Sequence, residues 1–338
     1  MTNETTIALP SKGALADPTR EFLQDCGLKI WKPNPRQYTG KISNIDGMNI
    51  IFQRVRDIVY KVGDGIAEFG VTGLDVVHEY GNLDEILIVH PSLEYGQCQL
   101  LVAVPESWMD VQNMYDLAEV AADMRQQQNR SIRVATTYVQ STRSFLHKKG
   151  IHHFTIAQAE GAIEAAPTLG YADIIVDLAQ TGTTLRENRL RPLSDGIIIQ
   201  SQACLIANRQ ALLKSEANRQ KLRLILEYID ATLYGKRYTQ LTALIKNDNR
   251  FEVMTALRHL QDKGILNPII TDAQAIFGEN EQLLNLQLVV PKSRILETVE
   301  VIRQMGGTQI TTRPVNALYV EHSPTYQAFI NQYQDFIV

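Results

Sequence analysis

The stretch YADIIVDLAQTGTTLREN, residues 171–188, decides the fold. It starts with an apolar run that is typical of a buried strand, and Asp177 closes that run. A short turn rich in threonine and glycine follows and leads into a helical pattern. In an open α/β sheet, ligands bind at the carboxyl ends of strands, where the next helix directs backbone N–H groups at them. The stretch therefore predicts an α/β fold with an anion site at residues 181–184.

The loop at 181–184 offers several hydrogen-bond donors to an anion. Its members are Thr181, Gly182, Thr183 and Thr184, and the glycine lets the backbone approach a ligand closely. Asp177 precedes them, and a carboxylate beside a phosphate cradle suits a sugar phosphate, whose hydroxyls need an acceptor. The loop has no lysine for a Walker A match. Thr184 and Glu187 also match a helix capping box, so a purely structural role for some of these threonines stays open.

Composition excludes several other classes. The chain has 338 residues, of which 44% are hydrophobic and 21% charged, which is enough for two or three domains with cores of their own. A net charge of −4 argues against a general nucleic-acid binder. Cys26, Cys98 and Cys204 form no C-x-x-C pair, which indicates neither a disulfide framework nor a zinc site. We expect a cytoplasmic protein, because the start lacks a signal-peptide pattern and no run of about 18 apolar residues occurs.

Short apolar runs alternate with amphipathic stretches over the first two hundred residues, which is typical of α/β proteins. The runs predict strands at residues 6–10, 48–55, 68–73, 85–91, 99–105, 132–138 and 172–178. Helical spacing predicts one helix within 107–131 and a long one over 208–234.

After Gly235 the pattern changes to strand, helix, strand, repeated once. This β-α-β-β-α-β order predicts a ferredoxin-like domain. Ser293 is the expected N-cap of its second helix. The inner face of its first helix is predicted to carry Phe251, Met254, Leu257 and Leu260.

The stretch at 171–188 resembles the signature of ATP phosphoribosyltransferases, approximately A-D-x-I-x-D-[LI]-x-x-T-G-x-T-L-x-x-N. Other segments resemble blocks of the same family in the right order: IALPSKGALADPTREFLQDCGLKI from Ile7, FQRVRDIVYKVGDGIAEFGVTGLDVVHE from Phe52, RVATTYVQSTRSFLHKKGI from Arg133 and QAEGAIEAAPTLGYAD from Gln158. The tail resembles, less sharply, the histidine-sensing domain of the family's long form.

The resemblance implies two catalytic lobes like those of a periplasmic binding protein, and an ACT-like ferredoxin-like regulatory domain. Residues 1–104 and 193–236 would form lobe I on the nucleotide side, 105–192 lobe II, and 237–338 the regulatory domain. The implied reaction joins phosphoribosyl diphosphate to N1 of ATP, giving 1-(5-phosphoribosyl)-ATP and pyrophosphate, the first step of histidine biosynthesis. Mg²⁺ is the expected cofactor, because it binds the oxygens of the anionic leaving group. Histidine would inhibit the enzyme, a hexamer is implied, and no nucleic acid or membrane partner is expected.

The resemblance also implies roles for individual residues. Asp177 would bind the ribose hydroxyls and residues 181–184 the 5-phosphate. Glu164 and Asp173 match acids near the same site, and Glu164 has the alternative of a solvated helix acid. The expected nucleotide-binding residues are Lys12, Gly13, Arg54, Gly70 and Gly73. No residue is indicated as a metal ligand.

Ala14 is the main departure from the family pattern. The family usually has K-G-R-L where this chain has residues 12–15, so one expected arginine on the nucleotide side is missing. Weaker ATP binding is expected from this change. It also keeps an alternative open, a two-lobed binding or regulatory paralogue without turnover, whereas the intact loop after Asp177 favours the enzyme.

Overall fold

The computed structural model describes residues 4–34, 36–158, 161–246, 250–261, 265–274 and 282–334. The chain folds into two compact units. The first comprises Met1–Phe22, Lys29–Lys221 and Tyr333–Val338, and the second comprises Leu23–Leu28 and Leu222–Gln332.

The first unit is an α/β structure with two sheets. Its strands are β1 (Thr5–Pro10), β2 (Ile30–Trp31), β3 (Thr39–Ile42), β4 (Met48–Gln53), β5 (Phe69–Gly73), β6 (Ile86–His90), β7 (Cys98–Pro105), β8 (Ile132–Thr136), β9 (Phe154–Gln158), β10 (Ile174–Ala179), β11 (Leu190–Ser201) and β12 (Ala203–Asn208). Its helices are α1 (Ala16–Asp25), α2 (Val55–Gly63), α3 (Leu74–Tyr80), α4 (Met114–Gln128), α5 (Val139–Lys148), α6 (Thr183–Glu187) and α7 (Arg209–Lys214), and α8 (Glu216–Arg237) continues into the second unit.

Lobe I is built on the seven-stranded sheet β2-β3-β4-β1-β5-β12-β6. β1 pairs with β4 and with β5 in parallel, so the carboxyl ends of these three strands lie at one edge. The amphipathic helix α2 covers one face, and its residues Ile58 and Val62, four positions apart, are buried against Ile206 of β12.

Lobe II is built on the five-stranded sheet β11-β7-β10-β8-β9. β10, β8 and β9 are parallel, whereas β7 runs antiparallel to β10 and to β11. The helix α4 begins in a capping box, in which the Asn113 side chain accepts from the N–H groups of Tyr115 and Asp116. Its buried residues Leu117 and Met124 pack on the sheet.

The chain passes between the lobes twice, and the two crossings lie side by side. The Leu93 N–H donates to the Ala203 carbonyl at 2.9 Å, and the Ala203 N–H donates to the Tyr95 carbonyl at 3.0 Å. Because β7 and β11 pair with each other, lobe II starts near residue 98 and ends near 201. The sheet of lobe II thus includes residues 98–104 and 193–201, which the family resemblance assigns to lobe I. The main segment of the second unit begins at Leu222, whereas the predicted regulatory domain begins at residue 237.

The second unit carries a four-stranded antiparallel sheet. Its strands are β13 (Tyr238–Ile245), β14 (Leu266–Gln274), β15 (Gln282–Pro291) and β16 (Gly307–Pro314), and its further helices are α9 (Arg250–Gln261), α10 (Ile295–Gln304) and α11 (Pro324–Tyr333). The strand order β14-β15-β13-β16, with two helices in β-α-β-β-α-β sequence, is the ferredoxin-like arrangement that the sequence predicts.

Several local predictions are wrong. α9 buries Val253 and Leu257, while Phe251 and Met254 are exposed, and the side chain of Leu260 lies outside the described residues. Ser293 does not cap α10, whose N-cap position is taken by Arg294 without a side-chain bond. The long helix predicted over 208–234 is interrupted at Ser215, where the backbone is extended and separates α7 from α8.

No helix in the described ranges is both long and apolar enough to cross a membrane. The cytoplasmic location stays a prediction from the sequence.

Gly70 lets α2 lie close to the sheet. A Cβ atom at this position would come within 2.6 Å of Ile58 Cγ2 and 2.9 Å of Val62 Cγ2. We expect Gly70→Ala to lower the free energy of unfolding by about 1–3 kcal/mol, because it overpacks this contact. Chemical denaturation measures the change. Gly63→Ala, on α2 itself, is the matched control, since its Cβ would meet only ordinary contacts at 3.6 Å or more; equal stability of the two variants would contradict the packing argument.

Candidate functional site

A pocket of about 350 Å³ lies at the carboxyl edge of the parallel strands in lobe II. It is lined by Glu164, Asp177 and residues 178–185. Asp177 belongs to β10, and Glu164 lies in a short 3-10 helix that follows β9. Since β9 and β10 flank β8 in parallel, the sheet brings both carboxylates to one place.

The loop at 181–184 forms one wall of this pocket. Gly182 adopts a left-handed conformation with φ 69°, which favours glycine, and it precedes α6. The hydroxyls of Thr181 and Thr183 are 2.9 Å apart and hydrogen-bonded. No side chain caps α6, and Thr184 lies inside its first turn, so the capping box with Glu187 is not formed. The loop thus presents exposed hydroxyls and backbone N–H groups to the pocket.

The carboxyl group of Asp177 has a raised pKa. Burial raises the pKa of its carboxyl to about 6, and the nearby Glu164 carboxylate adds to the rise, while a hydrogen bond from the Leu178 N–H at 2.8 Å opposes it. The carboxylate is therefore ionised at neutral pH but poorly stabilised by its surroundings. Such a group gains from donors that a ligand brings, such as the hydroxyls of a sugar.

The two carboxylates also fit a divalent cation. Among the described residues, no three His, Cys, Asp or Glu side chains gather into a metal cluster. Mg²⁺ does not need one, because it commonly uses one or two carboxylates together with water and substrate phosphates. Asp177 and Glu164 repel each other, and a bound cation would relieve that repulsion.

The structure does not bring Asp173 into this pocket. It precedes β10 at the opposite end from the loop, about 13 Å from Asp177 at a strand rise of about 3.3 Å per residue. Its carboxylate accepts from Arg130 at 2.8 Å and Arg133 at 3.0 Å, and also from the Arg133 N–H. Burial alone would raise its pKa, but these bonds outweigh burial and lower it. Asp173 therefore lies outside the pocket and forms ion pairs with Arg130 and Arg133.

The sheet of lobe I brings most of the predicted nucleotide residues to one edge. Lys12 and Gly13 follow β1, and Arg54 follows β4 at the start of α2. The register pairs Pro10 with Gln53, so these loops are neighbours. Gly73 ends β5 at the same edge. Gly70 lies inside β5 under α2 and does not reach this edge.

A second pocket, of about 670 Å³, lies beside this edge of lobe I. Its lining residues are Pro10, Ser11, Arg20, Ile30, Lys32, Arg36, Gln37, Tyr38 and Phe52. The Lys32 ammonium lies 4.5 Å above the Phe52 ring. Three cations beside aromatic rings suit a ligand with phosphates and a flat base. These residues are not among those predicted from the sequence, although the basic and aromatic side chains of KPNPRQY at 32–38 are a visible signal.

A strand-end carboxylate, a threonine-glycine loop and a cationic pocket on a separate lobe define a two-lobed α/β protein whose pockets suit phosphorylated ligands. A family profile described as ATP phosphoribosyltransferase matches residues 54–231. The chain belongs to the ATP phosphoribosyltransferase family, and is therefore a transferase of histidine biosynthesis.

Relatives of the same family match nearly the whole chain. The chain is 37% identical to an ATP phosphoribosyltransferase of Bradyrhizobium sp. over 96% of this chain and 97% of the relative. It is 32% identical to the chloroplastic ATP phosphoribosyltransferase 2 of Arabidopsis thaliana over 96% of this chain and 79% of the relative. A solved ATP phosphoribosyl transferase complex from Thermotoga maritima matches the fold with a TM-score of 0.51 at 22% identity, covering 67% of this chain and 95% of that one.

We expect Asp177→Asn to raise the stability of the fold and to lower the activity. A carboxyl whose pKa is raised in the folded state stabilises the fold below its unfolded pKa, and that advantage is lost as the pH rises through about 6. The variant removes this loss, so we expect it to be more stable at pH 7.5 by about 1–2 kcal/mol. We expect kcat/KM to fall roughly 10- to 100-fold, because charge-assisted hydrogen bonds to the ligand are lost.

Asp173→Asn is the matched control on the other end of the same strand. Its lowered pKa means that its ion pairs stabilise the fold above the unfolded pKa and are lost as the pH falls, so the control should lose stability at pH 7.5. Thermal unfolding at pH 4 and 7.5, together with kinetics, measures both variants. Unchanged kcat/KM in Asp177→Asn would show that the Asp177 carboxylate does not bind the ligand.

Proposed function

We propose that this enzyme transfers the phosphoribosyl group of phosphoribosyl diphosphate to N1 of ATP and releases pyrophosphate. The observation that carries the proposal is the pocket of lobe II, where a strand-end carboxylate faces a threonine-glycine loop in a chain of this family.

Lobe II is the proposed site of phosphoribosyl diphosphate. The hydroxyls and N–H groups of residues 181–184 bind the 5-phosphate. Asp177, ionised above pH 6, accepts hydrogen bonds from the ribose hydroxyls and so orients C1. Glu164 and Asp177 would hold Mg²⁺, which neutralises charge on the diphosphate when it is bound.

Lobe I is the proposed site of ATP. Arg20, Lys32 and Arg36 bind the phosphates, and Phe52 and Tyr38 offer aromatic surface to the base. Lys12 and Arg54 lie at the neighbouring edge. With three cations in the pocket, the lack of an arginine at Ala14 does not leave the phosphates without positive partners.

The protein contributes positioning and electrostatic stabilisation. The attacking atom is a neutral ring nitrogen, so no Ser, Cys or Lys nucleophile is needed. The bond to the leaving diphosphate breaks as the new bond to N1 forms, with inversion at C1. Holding the two reactants in line supplies much of the rate acceleration.

The direct test is to incubate the protein with ATP, phosphoribosyl diphosphate and Mg²⁺ and to follow formation of phosphoribosyl-ATP by its absorbance or by mass spectrometry. Product formation is expected. Binding of both substrates without product would favour the alternative, a non-catalytic paralogue, for which Ala14 is the supporting feature.

Lys32→Ala tests the nucleotide pocket. We expect the KM for ATP to rise roughly 10-fold, while the KM for phosphoribosyl diphosphate stays unchanged, because a charge-assisted contact to phosphate is worth about 1.5–3 kcal/mol. Lys41→Ala is the matched control, since the Lys41 ammonium lies 5.0 Å above the Trp31 ring but outside the pocket. An equal effect of the two substitutions would place the nucleotide elsewhere.

We further propose that the ferredoxin-like domain senses histidine and inhibits transfer. The two pockets are lined only by residues of the first unit, so the described part of the second unit contributes nothing to them. Inhibition would then couple separate sites, and reciprocity requires that substrates which oppose inhibition also weaken histidine binding. The hexamer implied by the family resemblance remains a prediction.

Calorimetry on the full chain tests the histidine proposal. We expect histidine to bind, to lower the transfer rate, and to bind more weakly when ATP and Mg²⁺ are present. Alanine is the control ligand. Absence of heat and of inhibition at millimolar histidine would show that this domain responds to another ligand or serves only the structure.

A further inference from the structure

Helix α3 of lobe I is hydrogen-bonded to residues 137–141 of lobe II, and we call this contact the interlobe clasp. Asp75, Glu79 and Tyr80 are its members on α3, and Asp75 and Glu79, four positions apart, share one side of the helix. Asp75 and Glu79 are buried, with 3% and 7% of their surface exposed. A buried carboxylate must be hydrogen-bonded, and both of these find partners on the other lobe.

Asp75 joins three parts of the catalytic unit. One carboxylate oxygen accepts from the Tyr138 hydroxyl of lobe II at 2.6 Å, and the other accepts from Ser201 at 2.5 Å. The Asp75 N–H donates back to the Ser201 hydroxyl at 2.9 Å. Ser201 is the last residue of β11, directly before the chain crosses to lobe I. Lobe I, lobe II and a crossing therefore meet on one side chain.

Glu79 acts on the start of α5. Its two oxygens accept from the N–H groups of Gln140 at 2.8 Å and Ser141 at 2.9 Å. The N-cap residue of α5, Tyr138, makes no side-chain cap of its own, so the cap comes from the other lobe. Tyr80 adds a bond from its hydroxyl to the Thr137 carbonyl at 3.1 Å.

The clasp joins the carboxyl edges of the two sheets, the edges beside which the two pockets lie. Residues 137–141 follow β8, the strand between those that lead to Glu164 and Asp177. On the other side, Asp75 follows Gly73 at the carboxyl end of β5, and a Cβ atom on Gly73 would lie 2.5 Å from an Asp75 oxygen. A movement at the clasp would therefore displace one pocket relative to the other.

We propose that Asp75 and Glu79 are positioning residues that fix the distance and angle between the donor pocket and the nucleotide pocket. The proposal rests on the proposed function, in which each substrate binds one lobe. Each lobe keeps its own binding groups when the clasp is weakened, so each substrate still binds. The transfer step is lost instead, because it needs C1 and N1 in line and a misplacement of about 1 Å can cost roughly 100-fold in rate.

Tyr138→Phe tests the proposal, because it removes the hydroxyl that Asp75 holds and keeps the ring. We expect kcat to fall roughly 10- to 100-fold, while the Kd of each substrate, measured singly by calorimetry, stays within about twofold. Thr5→Val is the control. It also removes one buried hydroxyl, bonded to Asn218 at 2.8 Å at the amino end of β1, and it should lower the melting temperature without changing kcat.

Two kinetic results would overturn the proposal. Wild-type kcat in Tyr138→Phe would make the clasp merely structural. A rise in the donor Kd comparable to the fall in kcat would make Tyr138 part of the donor pocket itself.

Hydrogen exchange gives a readout that does not depend on activity. Glu79→Gln replaces an oxygen that accepts from α5 by an NH₂ group, so we expect faster exchange at the amides of Gln140 and Ser141 and the same fall in kcat. Unchanged exchange would overturn the clasp even if the enzyme is active. If exchange differs between the wild type and Glu79→Gln as expected, but the wild type forms no phosphoribosyl-ATP, the clasp stands and the proposed function is overturned.

Discussion

The parallel pairing of β8 with β9 and β10 is the constraint on which the catalytic lobe depends. Parallel strands end at the same edge, so the segments that follow them converge although they are far apart in sequence. Glu164, Asp177 and the start of α5 reach one place in this way. The same rule applies to β1, β4 and β5 in lobe I. Two sheets thus produce two binding edges, and the contacts between the lobes relate one edge to the other.

The carboxylates at the two ends of β10 differ in how well their surroundings stabilise the charge. Asp173 is neutralised by two arginines, and its lowered pKa reflects that stabilisation. Asp177 has no cation among its hydrogen-bond partners and lies near a second carboxylate. A ligand that brings hydrogen-bond donors or a cation can supply the stabilisation that the Asp177 carboxylate lacks, which is a common property of functional sites.

The sequence predicts β1, β4 to β8 and β10 well, and also the turn after Asp177, because all of these depend on local patterns. It misses β2, β3, β9, β11 and β12. The segments KPNPRQYTGKI and LRPLSDGIIIQS, which contain β3 and β11, mix turn residues with apolar ones, and the register of β11 shifts between Pro192 and Ile197. It places Phe251 and Leu257 on one face of α9, although residues six apart lie about 120° apart around a helix at about 100° per residue.

Two expected site residues, Gly70 and Asp173, lie away from the pockets for reasons that the sequence does not show. A family match cannot tell whether Gly70 is needed for a ligand or for the packing of α2. It also cannot tell which end of a strand an acid occupies, as Asp173 shows. The pocket of lobe I joins β1, α1, β4 and the loop after β2, and such a joint surface exists only after the strands have paired.

The two adjacent chain crossings make lobe II an insertion within lobe I. The bonds between Leu93, Tyr95 and Ala203 hold the two ends of lobe II together. For the folding of lobe I, lobe II therefore acts as a closed loop, whatever its length. The entropy of closing a loop grows slowly, by about 0.6 kcal/mol for each doubling of its length. Lobe II can therefore gain or lose segments with little effect on the folding of lobe I. The length and sequence of lobe II are thus only weakly constrained by the structure of lobe I.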